Sequence, residues 1–167
     1  MSAVVIAVLQ YATAVTFVII GLAAYQRGGA AQRAAEAEVV RQGFTREVLA
    51  RHRVRIEESL AELMLPLGVA AVLTVLGTLN LIDAGRTATW VLQPVLLLAG
   101  GYITVSQVFV RQTVAAAFRD SEDAVDTRAV LDAAFAAFPR WLRSVVVARF
   151  LLVTFGSAVV LVLAALG

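Results

Sequence analysis

Residues 3–25, 63–82, 90–110 and 145–166 form four long apolar stretches without a single Asp, Glu or Lys. Each is close to the ~20 residues a helix needs to cross the hydrocarbon core of a bilayer. Backbone polar groups in lipid must be satisfied within their own segment, so each stretch is expected to be a helix. With 60% hydrophobic residues the chain is too apolar for an ordinary soluble domain. The pattern predicts an all-α integral membrane protein with four transmembrane helices, a single domain over residues 1–167. The first stretch has no basic residue ahead of it and exceeds the usual apolar run of a signal peptide, so it is expected to stay as an uncleaved span.

All fourteen basic residues are arginine, and their placement predicts the orientation. Seven lie in the connection 26–62 and five in the connection 111–144, whereas the link 83–87 holds one and the two ends hold none. By the positive-inside rule, both long connections are cytoplasmic, and both termini and the short link are outside. The fold expected is two hairpins with long helical cytoplasmic connections, N-out and C-out. Tyr25, Trp90 and Trp141 fall where an aromatic belt would sit. Arginine without lysine, beside heavy use of Ala and Val, fits a GC-rich bacterial genome and hence a bacterial plasma membrane. Acids match the arginines segment by segment, so no nucleic-acid partner is expected.

In the first connection, Gly28-Gly29 is expected to end the first helix, and Gly43 to separate a helical piece over 30–42 from the next. Thr45 would then cap a helix running unbroken into the second span, with a kink at Pro66. On that helix Val48, Leu49, His52, Ile56, Ser59, Leu60 and Leu63 share one face about 120° wide. Glu47–Arg51 and Arg53–Glu57 would pair at i,i+4. A polar face this nearly neutral suits protein contact better than anionic lipid. Val48, Leu49, His52, Ile56 and Leu60, with Phe135 and Phe138, are therefore the candidate cytoplasmic docking face, open either to the other connection or to a partner. In the second connection an acidic linker offers Ser121, Asp126 and Thr127 as helix caps. A short helix to Phe138 carries Leu131, Ala134, Phe135 and Phe138 on one side, and Pro139 opens the last helix as its first residue.

Few residues invite chemistry. There is no cysteine, so disulfides, thiolate metal sites and iron–sulfur clusters are excluded. The one histidine, His52, lies outside the spans, so haem ligation within them is not expected. No span carries the carboxylate that proton-coupled transport generally uses. No serine is expected beside a histidine. Asp120, Glu122, Asp123 and Asp126 match no metal-binding spacing and read as a solvated linker. No catalytic, cofactor-binding or metal residue is assigned. Arg149 is expected either to snorkel to the cytoplasmic interface or to form an ion pair with Glu62.

The spans themselves carry small and polar stripes. Gln93, Gly100, Thr104, Gln107 and Arg111 recur along the third as a bundle core or, alternatively, a pore lining. Gln10 lies on the matching stripe of the first span and Ser157 on that of the fourth, as residues suited to close helix packing. The function expected is non-catalytic: an accessory, anchoring or assembly subunit of a larger membrane complex, or a homo-oligomer, in contact with membrane lipids and protein partners. A channel lined by the third span is the alternative, and a small-solute transporter the third reading.

Overall fold

A computed structural model describes residues 2–119, 121 and 123–166, and every regular element among them is helical. In chain order these are α1 (Ser2–Arg41), α2 (Glu47–Arg51), α3 (Leu60–Leu81), α4 (Arg86–Val108), α5 (Val110–Ala117), α6 (Thr127–Ala136), α7 (Trp141–Leu151) and α8 (Ser157–Leu166). A π-helical turn, Leu152–Gly156, joins α7 to α8 without a break. Four helices are long and apolar enough to cross a membrane: α1, α3, α4 and the 26-residue rod made by α7 and α8. They pack as a bundle. The charged connections fold at one end of it into a cap with its own apolar core.

The helix α1 is the spine. It runs 40 residues, about 60 Å at 1.5 Å per residue, and packs on α3, α6, α7 and α8. It does not end at Gly28-Gly29 as the sequence suggested. Gly28 is instead a notch: a Cβ there would lie 3.1 Å from Glu57 Cα and 3.2 Å from Glu58 N. The extended chain ahead of α3 crosses α1 at that point, and Gln32 Oε1 holds it by accepting from Ile56 N at 2.9 Å. Beyond the notch, Ala31, Ala35 and Val39 form a fully buried i,i+4 row that continues α1 into the cap.

The expected continuous helix from Thr45 into the second span is broken. The five-residue helix α2 starts after Arg46 with no side-chain cap, and the chain leaves it through Arg53, whose φ is +56°. Arg53 N donates to Ala50 O at 3.0 Å and Val54 N to Leu49 O at 2.8 Å. That is the paired closure of a Schellman turn, with Val54 and Leu49 meeting in the cap core. The same closure follows α1 at Gly43 and α3 at Asp83, where φ is +90° and +56°. Helix α3 then begins afresh with a capping box: Ser59 Oγ accepts from Glu62 N, and Ser59 N donates to Glu62 Oε2 at 2.6 Å.

This break rearranges the expected apolar face. Val48 and Leu49 are buried, but within the chain's own cap. His52 and Ile56 are half-buried, and Leu60 is exposed at the start of α3. The i,i+4 ion pairs do not form: Arg51 reaches Asp123 at 3.6 Å and Arg55 bonds Glu62. On α6, capped by Asp126, the buried side is Val130, Leu131 and Ala134. Phe138 packs at the margin of the cap core, while Phe135 is exposed beneath Arg111, whose Cζ stands 5.5 Å from its ring centre. Pro139 stands two residues ahead of α7. Asp120 and Glu122 of the acidic linker lie outside the described residues.

Candidate functional site

Polar side chains sit at two levels in the bundle, and they differ in one respect. At the end remote from the cap, Gln10 of α1 donates through Nε2 to Gln93 Oε1 of α4 at 3.1 Å. Gln93 Nε2 donates in turn to Ser157 Oγ of α8 at 3.1 Å. Asn80 of α3 donates through Nδ2 to Gln10 Oε1 at 3.0 Å and to Thr89 Oγ1 at 2.7 Å. All five residues are buried. The network ties the four long helices together with amides that satisfy one another, which is how polar groups survive in a dry bundle. Gly85 permits it, because a Cβ there would come within 2.6 Å of Asn80 N. Nearby, Arg86, the first residue of α4, donates to Ala164 O at 2.9 Å and Ala165 O at 3.3 Å, closing off the open carbonyls of α8.

The second level is nearer the cap, and it is not self-sufficient. Arg149 lies eight residues along α7 from Trp141, about 12 Å into the bundle, and is 0% exposed. It neither snorkels nor pairs with Glu62, which is engaged by Arg55 and Ser59. Its Nη2 donates to Gln107 Oε1 of α4, and its Cζ stands 4.8 Å from the ring centre of buried Phe17 on α1. That cation–π contact compensates part of the charge. Gly100 makes room for the ring, since a Cβ there would lie 2.9 Å from Phe17 Cζ. Nε and Nη1 of Arg149 are buried without any hydrogen-bond partner. Leaving donors of a buried cation unpaired is costly, and among the described residues no other buried side-chain nitrogen or oxygen lacks a partner.

Arg149 borders a cavity of about 420 Å³ in the seam between α3 and α4, but its unpartnered nitrogens are sealed off from that space. Ser106 and Gln107 of α4 line it, and Glu58 and Glu62 line it toward the cap. Leu65 of α3 and Tyr102 of α4, both also lining it, are exposed on the bundle surface. Burial, and after it the charge of Glu62, push the Glu58 carboxyl above the usual carboxylate range, with Arg149 opposing them. The cavity thus lies between a buried guanidinium at one level and, toward the cap, Glu58 and the already paired Glu62, flanked by apolar side chains.

The remaining sequence candidates fall elsewhere. Thr104 is buried and turned back on its own helix, donating to Gly100 O at 2.6 Å. Arg111 lies on α5, beyond the end of α4, and pairs with Asp132 at 2.5 Å. In the cap, and contrary to expectation, Ser121 does stand beside His52: its Oγ is 3.1 Å from His52 Nε2. The same nitrogen lies 3.2 Å from Asp123 Oδ2, and the ring stacks 4.2 Å from that of Phe118. A Ser–His–Asp relay needs the acid and the hydroxyl on opposite ring nitrogens. Here both crowd one, so the cluster ties α2 to the linker and to α5.

Sequence reading found Gln93, Gly100, Thr104 and Gln107 on one stripe but missed Asn80 and Thr89, whose places near helix ends made polar side chains look unremarkable. Glu58 was missed as one charge among many. It stands four residues before Glu62, and its passage over Gly28 is a tertiary contact with no signal in the local sequence. Against known proteins, the chain matches no family model, no curated protein and no solved structure.

Proposed function

We propose that this chain is a multi-pass protein of a bacterial plasma membrane, with both termini and the turn at Asp83 outside and the cap in the cytoplasm. It works without chemistry of its own, as an accessory, anchoring or assembly subunit of a larger complex or as a homo-oligomer. The observation that carries this reading is the outer face of α4. Val91, Val95, Leu98, Tyr102 and Val105 stand exposed there, at alternating spacings of four and three, the repeat by which one helix seats against another. None of the chain's own helices covers that row, and of the four long helices α4 has the least buried span, at 22%. The apolar cap face is consumed internally, so docking shifts from the cap to the bundle. The alternative, a channel or transporter with Gln93, Thr104 and Gln107 along its path, has less support, because Gln93 and Thr104 are packed within the chain.

Native mass spectrometry on the protein extracted from its own membrane in mild detergent tests the reading. A stoichiometric second polypeptide, or a closed homo-oligomer, supports it; a monomer that carries lipid and no second polypeptide refutes it. Orientation is read separately. The chain has no cysteine, so Ala84→Cys should label from outside with an impermeant maleimide and Arg46→Cys only after the membrane is opened.

A further inference from the structure

From the outer row of α4 we infer that the partner seated there is a second copy of this chain, the two α4 helices lying side by side about a twofold axis along the membrane normal. This rests on the docking role proposed for that face and names its occupant. Val91, Val95, Leu98, Tyr102, Val105 and Phe109, the C-cap of α4, alternate spacings of four and three over about 27 Å of helix. Each is 43–77% exposed. In heptad terms Val95, Tyr102 and Phe109 stand at a, and Val91, Leu98 and Val105 at d. Copies inserted in one orientation bring their α4 helices together in parallel, and a twofold pair closes on itself. In a parallel pair an a side chain enters a hole between the neighbouring a, d and g residues of the other helix. Tyr102, the bulkiest of the row, then meets Leu98, Val105 and Gly101 of the other copy. A Cβ at Gly101 would touch nothing within its own chain. The flanks of Leu98 and Val105 are the e residues Ala99 and Ser106. Small residues therefore border the row beside Leu98, Tyr102 and Val105, which lets two backbones approach. Knob and hole lie at one level of one helix, so the face is complementary to itself. No charge occurs between Arg86 and Arg111, so pairing sets no like charges against each other inside the span. At these exposures the six residues carry roughly 700 Å² of accessible surface per copy, close to the ~800 Å² per partner of a standard interface.

The chain has no cysteine, so single cysteines report the seam in the native membrane. Leu98→Cys and Val105→Cys, both at d, face their own counterparts across the axis. Mild oxidation should link each into a species of twice the 17.7 kDa chain mass. Val8→Cys on α1 and Val75→Cys on α3 are exposed on other faces of the bundle and should stay single chains. Tyr102→Ala, at a position 77% exposed, should leave the melting curve of the monomer unchanged. It should weaken the dimer about tenfold, read by native mass spectrometry as the monomer fraction against protein-to-detergent ratio. Linkage at Leu98→Cys and Val105→Cys no stronger than at Val8→Cys and Val75→Cys overturns the inference, as does a dimer indifferent to Tyr102→Ala. A stoichiometric foreign polypeptide without self-linkage refutes the second copy and leaves the docking reading standing. A lipid-carrying monomer that links nowhere refutes both.

Discussion

Gly100 and Gly101 are neighbours on α4, and alanine should act on them with opposite sign. A methyl at Gly100 would sit 2.9 Å from Phe17 Cζ and 3.7 Å from Val153 Cγ1, whereas a methyl at Gly101 meets nothing within 4 Å. Both substitutions gain the same helix preference of alanine over glycine, about 0.8–1 kcal/mol, so their difference isolates the contact. The Phe17 ring cannot swing aside cheaply, because it is fully buried with the Arg149 guanidinium stacked on it. Overpacking of this kind costs roughly 1–3 kcal/mol. Gly100→Ala should therefore be less stable than Gly101→Ala by that amount, with Gly101→Ala equal to or better than the parent. Thermal unfolding in detergent, followed by tryptophan fluorescence and circular dichroism, gives the comparison. If Gly100→Ala is as stable as Gly101→Ala, Phe17 is not clamped between α4 and Arg149, and the description of that level of the bundle fails.

Asn80→Leu removes the donor that serves Gln10 and Thr89, and should lower stability by roughly 1–2 kcal/mol; an unchanged melting curve would mean that the amides re-pair without it. Arg53→Gly relieves a left-handed backbone position and should raise stability by about 1 kcal/mol, detectable as a higher cap-unfolding midpoint in denaturant, while a drop would show that the Arg53 side chain matters more than its φ. Glu58 has a folded pKa raised above the ordinary value of 4.5 by burial. The native state therefore binds its proton more readily than the unfolded chain, and the contribution of Glu58 to stability falls as pH rises from 4.5 through the folded pKa. In lipid-free detergent Glu58→Gln should thus stabilise at pH 7, with the gain shrinking on acidification toward 4.5; a gain independent of pH would assign it to something other than charge.

The four long helices were legible because hydrocarbon admits so few structures, and the order of apolar stretches leaves little choice. What failed was punctuation inside the charged connections. Gly28 reads as a helix stop, yet the glycine is there because Glu57 and Glu58 pass over it, a long-range contact that no local pattern encodes. Arg53 lies in a run of good helix formers, and it is the closure of Leu49 on Val54, a tertiary packing event, that takes it out of the helix. Of the candidate site, Gln107 and Arg149 were named separately, and neither was linked to the other. Their pairing depends on how α4 and α7 face one another, whereas Glu62 seemed the natural partner on charge alone until its role in the capping box was seen.

The length of α1 also sets an order of events during synthesis. Ala31, Ala35 and Val39 leave the ribosome as the far end of the earliest helix, but Leu131 and Ala134, which complete their core, follow about 95 residues later. At about 5–20 residues per second that interval is roughly 5–20 s. Through it, the nascent chain holds an aliphatic ridge covered at most by Val48, Leu49 and Val54, while the other three long helices are still being made. Any chaperone or insertion factor serving this protein meets that ridge first, and a substitution that made it stickier would harm biogenesis before it altered the finished fold.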